Sequence, residues 1–332
     1  MFNWGIVSAA SIAASFMNGI KTSQNSRAAA VAARDLKRAR AFADKYGIPK
    51  AYGSYRELME DPEIDGVYVC NLHPWHREAA LMAAAQGKHI LVEKPAFMNK
   101  KETEEVIAAC RKNGVFFLEA FMYRCHPQTR AACDVITSGR LGEVHFIRTS
   151  FGFDCPGGNG HRVMDKKVGG GGILDVGCYN ASLARLFAGC AQGRPFADPV
   201  SLRATGYLGE TGADYISSAA MSFENGLQAV MSCAIKTQLP NDALVCGTEG
   251  SMLVENPWGG AGRIIITGRD PGELRFEAGG KNLYSYEIDY VAQQSAPWPA
   301  MSPEDTLGNM ETLDMWRKEI GLEYGPAGSI QT

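Results

Sequence analysis

Glu93-Lys94-Pro95 closes an apolar run, Lys88-His-Ile-Leu-Val92. The run reads as a buried parallel strand, and in open α/β sheets ligands bind just beyond the carboxyl ends of strands. A desolvated lysine at that place can exchange protons near neutral pH. Pro95 fixes the adjoining backbone and admits a cis Lys94-Pro95 bond. A salt-bridged surface turn is the competing account of the same residues. A second constellation follows the glycines Gly169 to Gly172, where Asp175 and Tyr179 stand four residues apart. On a helix this spacing puts both on one face, and glycines let backbone approach a ligand closely. Asp175 would equally suit the dipole of a helix N-terminus, and Tyr179 a half-buried core.

These groups need a frame. Through about residue 122, short apolar runs alternate with amphipathic stretches: strands at Trp4–Val7, Arg27–Ala33, Val67–Cys70, His89–Val92 and Val115–Leu118, and helices at Ile12–Ile20, Leu36–Tyr46, Tyr55–Met59, Trp75–Gln86 and Lys101–Lys112. Such alternation predicts a parallel, doubly wound sheet. Beyond it comes a helix, Pro127–Ser138, and then longer strands with hairpin signals such as Glu224-Asn225-Gly226. That half predicts an α+β domain with a large, mainly antiparallel, open-faced sheet. A helix over Ser302–Leu322 ends it, with Ser302 as N-cap and Pro303 in the first turn. The expected domains are 1–122 and 123–332.

The turn after the first strand is Ser8-Ala9-Ala10-Ser11-Ile12-Ala13. A dinucleotide fold places G-x-G-x-x-G/A there, so that amides and a helix N-terminus reach a pyrophosphate. Ser8 and Ala10 take the leading glycine positions, and Ala13 fits the third. A plain strand–helix turn explains the pattern too. At the end of the second strand stands Ala33-Arg34-Asp35. An acid there binds a ribose 2′-hydroxyl, whereas an arginine accommodates a 2′-phosphate.

The 332 residues suffice for two domains, with 45% hydrophobic and 21% charged residues. A net charge of -3 advertises neither nucleic acid nor an anionic membrane as partner. No transmembrane run or signal peptide is read, and the 9 cysteines form no C-x-x-C pair, which suggests reduced thiols in the cytoplasm without a zinc site. His73 and His76 are three apart, but Pro74 and the lack of an acidic cluster argue against a metal site there. Cys178 reads as packing. Strands at Asp214–Phe223 and Leu227–Ile235 keep small or apolar residues on both faces, for instance Tyr215, Ser217, Ala219 and Met221 on one. Such a face suggests a homodimer or higher homo-oligomer.

Taken together, the chain resembles the Gfo/Idh/MocA oxidoreductases over nearly its whole length. The matching stretches are Trp4-Gly-Ile-Val7, Ala32-Ala-Arg-Asp35, Ala51-Tyr-Gly-Ser-Tyr55, Glu93-Lys-Pro95, Glu119-Ala-Phe-Met-Tyr-Arg124 with His126-Pro127, and Gly171-Gly-Ile-Leu-Asp-Val-Gly-Cys-Tyr179. It is most similar to the subgroup of dimeric dihydrodiol dehydrogenase and NADP-dependent D-xylose 1-dehydrogenase. The resemblance implies that Lys94 is the catalytic lysine, that Glu93 and His76 lie near the nicotinamide, and that Asp175 and Tyr179 complete the substrate site. Asn71-Leu-His73 stands where the family commonly has Thr-Pro-Asn, which alters the nicotinamide-ribose contacts. The expected cofactor set is Ser8, Ala10, Ser11, Ile12, Arg34, Asn71, His73, His76, Glu93 and Lys94. The expected substrate set is Tyr123, Arg124, Asp175 and Tyr179.

The implied reaction passes hydride between a carbinol carbon of a sugar or vicinal diol and the nicotinamide, with NADP expected over NAD because of Arg34. Tyr179 can take the hydroxyl proton if the Lys94 ammonium lowers its pKa, or Lys94 can take it with Tyr179 as partner. Asp175 would orient the hydroxyls. A non-catalytic nucleotide-binding sensor on the same fold is the alternative, against which Lys94, Asp175 and Tyr179 stand together.

Overall fold

The computed structural model describes residues 1–277 and 281–325, which form two compact units. The first contains residues 1–122 and 281–307. Its sheet holds β1 (Phe2–Val7), β2 (Ser26–Ala32), β3 (Lys50–Tyr52), β4 (Gly66–Val69), β5 (His89–Glu93) and β6 (Phe117–Ala120) in the order β3-β2-β1-β4-β5-β6, every pair parallel. This is the doubly wound dinucleotide-fold order, whose reversal lies at β1/β4. The strands are buried because α1 (Ala13–Ile20), α2 (Leu36–Tyr46), α3 (Tyr55–Glu60), α4 (His76–Ala85) and α5 (Lys100–Asn113) cover the sheet. The sequence punctuates these helices. Asn99 caps α5 by accepting from the Glu102 amide, and Gly114 ends it in the left-handed region at φ 65°. Ser54 and Glu57 form a capping box on α3.

The domain division differs from expectation in one segment. Residues 281–307, read as part of the second domain, belong with the first. They include α8 (Leu283–Ala292), which packs on α1 and β5. The fit is close: a Cβ at Gly19 would lie 2.8 Å from side-chain atoms of both Tyr284 and Ile288.

The second unit contains residues 123–277 and 308–325. After α6 (Pro127–Thr137) come β7 (Val144–Gly152), α7 (Cys178–Ala191), β8 (Ser201–Leu208), β9 (Asp214–Ser222), β10 (Gln228–Ala234), β11 (Asp242–Gly247), β12 (Gly250–Glu255), β13 (Gly262–Gly268) and β14 (Gly272–Phe276). Their sheet runs β14-β13-β12-β11-β7-β10-β9-β8, antiparallel except where β7 meets β10. Helix α7 is buried from Cys178 through Cys190 against β7 and β10. Helix α9 (Pro303–Glu319) starts where Ser302 Oγ accepts from the Asp305 amide at 3.1 Å.

The β9 face expected to meet a second copy is instead packed within its own unit. Tyr215, Ser217, Ala219 and Met221 are buried by their own chain, with Trp316 donating to Ser217 Oγ at 2.8 Å. The open face of β9 is the alternate set, Ile216, Ser218, Ala220 and Ser222.

Candidate active site

In the first unit, the expected cofactor residues gather at the carboxyl ends of β1, β2, β4 and β5. Ser8 adopts φ 96°, the left-handed region that a leading glycine would otherwise supply. Helix α1 has no side-chain cap and no acid in its first turn. The amides of Ser11 and Ile12 donate to no group among the described residues. Unpaired amides at a helix start form an anion cradle.

Arg34 leaves β2 with its guanidinium carbon 5.0 Å from the Trp75 ring centre, and it has no carboxylate partner among the described residues. The neighbouring acid is already used, since Asp35 caps α2 by accepting from the Lys37 amide at 2.9 Å. The buried Tyr55 joins this corner beside Ser8. Burial pushes its phenol up, opposed by Ser8 and by Arg34 and Arg38. Arg38, Tyr55 and Trp75 were not singled out from sequence. Arg38 is one helical turn past Arg34, the spacing that could have flagged it.

His76 joins the turns after β4 and β5. Its Nε2 lies 2.9 Å from the Asn71 carbonyl, and its Nδ1 lies 3.0 Å from that of Ala96 and 3.2 Å from that of Pro95. Burial first, with the Lys94 charge, pushes the imidazole down to about 4. It is therefore neutral at pH 7 and acts as a strut whose single ring N–H donates to one of these carbonyls while the other nitrogen only packs against its neighbour. Asn71 donates to the Trp75 carbonyl at 3.3 Å, while its buried Oδ1 has no partner among the described residues. His73 is buried, with its ring 5.6 Å from that of His76.

Lys94-Pro95 is cis. Glu93 is buried and accepts from the Tyr68 phenol and, at 3.3 Å, from the Lys94 amide. Glu119 holds the other side of the loop by accepting from the Ala96 amide at 2.9 Å. Burial, then Glu93, keeps the Tyr68 phenol well above its usual range and therefore a donor. The same two causes push the fully buried Glu287 of α8 well above the usual carboxylate range.

In the second unit, the glycine run leads into a π-helical turn, Ile173–Gly177, that carries Asp175. Tyr179 lies in the first turn of α7. The Asp175–Tyr179 spacing thus spans a wider turn than an ordinary helix, a feature frequent at functional sites. Asp175 is buried and faces Arg162, whose Nη atoms lie 3.4 Å from Oδ1. Arg162 is thirteen residues upstream, too far for any local pattern to have paired the two.

Tyr179 belongs to an aromatic cluster. Its ring lies 5.7 Å from Tyr123, 5.3 Å from Phe151 and 5.6 Å from Trp258. Phe151 and Trp258 stack on each other at 5.3 Å and 7°. Tyr123 donates to Ser182 Oγ at 2.9 Å, and the buried Arg124 donates to the same oxygen at 2.9 Å and to the Ser182 carbonyl. Arg124 thus ties the 122–125 turn to α7. Cys178 is buried, with its thiol 3.8 Å from the Asp175 carbonyl.

Several features fit a nicotinamide dinucleotide: two undirected amides at a helix start, a left-handed Ser8 that brings backbone close, a buried unpartnered Asn71 Oδ1, and a guanidinium at the end of β2.

The fold and these sites define a dehydrogenase-type architecture, and comparison with known proteins places it. Residues 2–121 match the family described as "Oxidoreductase family, NAD-binding Rossmann fold", and residues 129–253 match the "GFO/IDH/MocA C-terminal domain". The chain belongs to the Gfo/Idh/MocA oxidoreductase family. It is similar to trans-1,2-dihydrobenzene-1,2-diol dehydrogenase of Xenopus tropicalis, 35% identical over 340 residues that cover 97% of this chain and 98% of that one. The mouse (Mus musculus) enzyme of that name is 38% identical over 339 residues, 97% of each chain. Among solved structures, a 3-ketoreductase from Actinomadura kijaniata in complex with NADP superposes with a TM-score of 0.84 at 23% identity, covering 96% of this chain and 98% of that one. An aldose-aldose oxidoreductase from Caulobacter crescentus gives 0.85 at 22%, covering 96% and 97%. Both share the fold.

Proposed function

We propose that this chain is an NADP-preferring dehydrogenase that oxidises a carbinol carbon of a vicinal diol or sugar. One observation carries the reading. The relatives named for a diol dehydrogenase match along 97% of the chain, so both units are shared. When bound, the nicotinamide supplies the hydride acceptor. The protein's part is to bind, orient and move a proton. Lys94 and Tyr179 handle the hydroxyl proton, and Asp175 accepts from a substrate hydroxyl while Arg162 keeps its carboxylate in place. The ring faces of Tyr123, Phe151 and Trp258 give the apolar wall that a ring-shaped diol needs.

Arg34 and Arg38 favour the 2′-phosphate, and the commitment of Asp35 to the α2 cap supports the same preference. Nine free cysteines, most of them buried, support a reducing compartment such as the cytoplasm. The open β9 face of small residues supports pairing of two copies into a homodimer. Light scattering at micromolar protein should then give twice the chain mass, and a monomeric mass would refute the dimer.

The test of function is the absorbance of NADPH formed from NADP+ with trans-1,2-dihydrobenzene-1,2-diol and a panel of aldoses, D-xylose included. Turnover of a diol or an aldose is expected. No turnover with any of them, in either cofactor, would refute the reading.

A further inference from the structure

Asp214, the first residue of β9, is fully buried behind the glycine run. Its Oδ2 accepts from the Ile173 amide at 2.7 Å, where the π-helical turn begins. Gly172 lies against the same Asp214 oxygen, where a Cβ would come within 3.2 Å of it. Its Oδ1 has no hydrogen-bond partner among the described residues. That oxygen sits over Gly171, where a Cβ would come within 2.1 Å of it, and Gly171 has φ 133°, a backbone that favours glycine. Tyr324 closes the other side by donating to the Gly170 carbonyl at 2.8 Å. The glycines are therefore clamped rather than flexible. The Gly171 carbonyl in turn accepts from the Asp175 amide at 3.0 Å.

We propose that Asp214 is a positioning residue that fixes the glycine run at the start of the π-helical turn and thereby sets where Asp175 is held. The inference rests on the reading of Asp175 as a substrate-orienting group. A negative carboxylate suits a helix start, because the first amides carry a partial positive charge. Protonation weakens that grip. The charged and titratable groups around Asp214 are Arg317 and Tyr324 from the C-terminal segment and Cys233 of β10, with Asp175 acting on Tyr324. Burial holds Tyr324 and Cys233 well above their usual ranges, so both stay neutral. Arg317 is the cation. Burial also pushes the Asp214 carboxyl up to about 7, against the pull of the Ile173 amide. The clamp therefore tightens as pH rises through neutrality.

The experiment compares Asp214→Asn, Asp214→Ala and Asp175→Asn with the full-length protein. It measures kcat and KM for trans-1,2-dihydrobenzene-1,2-diol across pH, with NADP binding followed by fluorescence. A displaced orienting group costs up to roughly 100-fold. Asp214→Ala should lower kcat/KM by about 10–100-fold while NADP binds as in wild type. Asp214→Asn keeps an oxygen for the Ile173 amide. It should recover most of that loss and remove the rise of kcat/KM near neutral pH expected of wild type. If Asp214→Ala does not fold, the pH profile of Asp214→Asn decides. Wild-type kcat/KM in Asp214→Ala, or an unchanged neutral limb in Asp214→Asn, overturns the proposal while an impaired Asp175→Asn leaves the site reading standing. Wild-type turnover in Asp175→Asn overturns the site reading itself.

Discussion

Replacing Arg34 by alanine should separate the two cofactors. Arg34 is exposed, rests on Trp75 at 5.0 Å and has no carboxylate partner to share among the described residues. Its guanidinium can be given wholly to a 2′-phosphate. A charge-assisted hydrogen bond contributes about 1.5–3 kcal/mol, and an exposed setting favours the lower part of that range. Arg38 stands nearby and retains part of the attraction in the variant. The expected loss is about 1.4–2 kcal/mol, or a rise in Kd for NADP of about 10–30-fold. NAD lacks the phosphate, so its Kd should change by less than about threefold. Fluorescence titration of both cofactors into wild type and Arg34→Ala measures this directly. Equal weakening for both would recast Arg34 as an adenine stacker. A wild-type preference for NAD would refute the assignment of specificity altogether.

Other outcomes follow from the same geometry. Unfolding restores His76 from about 4 to the ordinary 6.5, so its folded form binds fewer protons in acid, and stability falls as pH drops from 6.5 towards 4. That loss approaches about 3 kcal/mol, and urea unfolding at about pH 7 and about pH 4.5 should show a clearly smaller drop for His76→Gln than for wild type. Equal drops would mean that the imidazole is not the buried neutral strut described. Gly171→Ala forces a Cβ to 2.1 Å from Asp214 Oδ1 at φ 133° and should destabilise by about 2–4 kcal/mol. A wild-type melting temperature would show that the clamp is loose.

Much of the frame was legible because local chemistry and tertiary demand agree. The spacing in Leu36–Tyr46 predicted α2 to the residue, and Ser302 capped α9 as expected. Glu93-Lys94-Pro95 stood out because an apolar strand ended in charge. Helix α8 was not legible, because its buried positions include Ser285, Glu287 and Asp289, polar residues that hide a helical apolar stripe. β14 was missed at the sheet edge, where Gly-Glu-Leu-Arg-Phe is mostly exposed. β3 is only 3 residues long. The π-helical turn has no periodic signature of its own. The partnerships of Asp175 with Arg162, and of Ile173 with Asp214, join residues that only the folded backbone brings together.

The central proposal is that Lys94 and Tyr179 move the proton of one reacting hydroxyl. Steady-state kcat and NADP titrations of Lys94→Met, Tyr179→Phe and the double variant test it most directly. Losing a positioned acid or base lowers rate by about 10²–10⁴-fold, and groups acting as a unit are non-additive. Each single variant should lose kcat on that scale while NADP still binds, and the double variant should be little worse than the poorer single one. Near-wild-type turnover in either single variant, or losses that multiply in the double, would contradict the account.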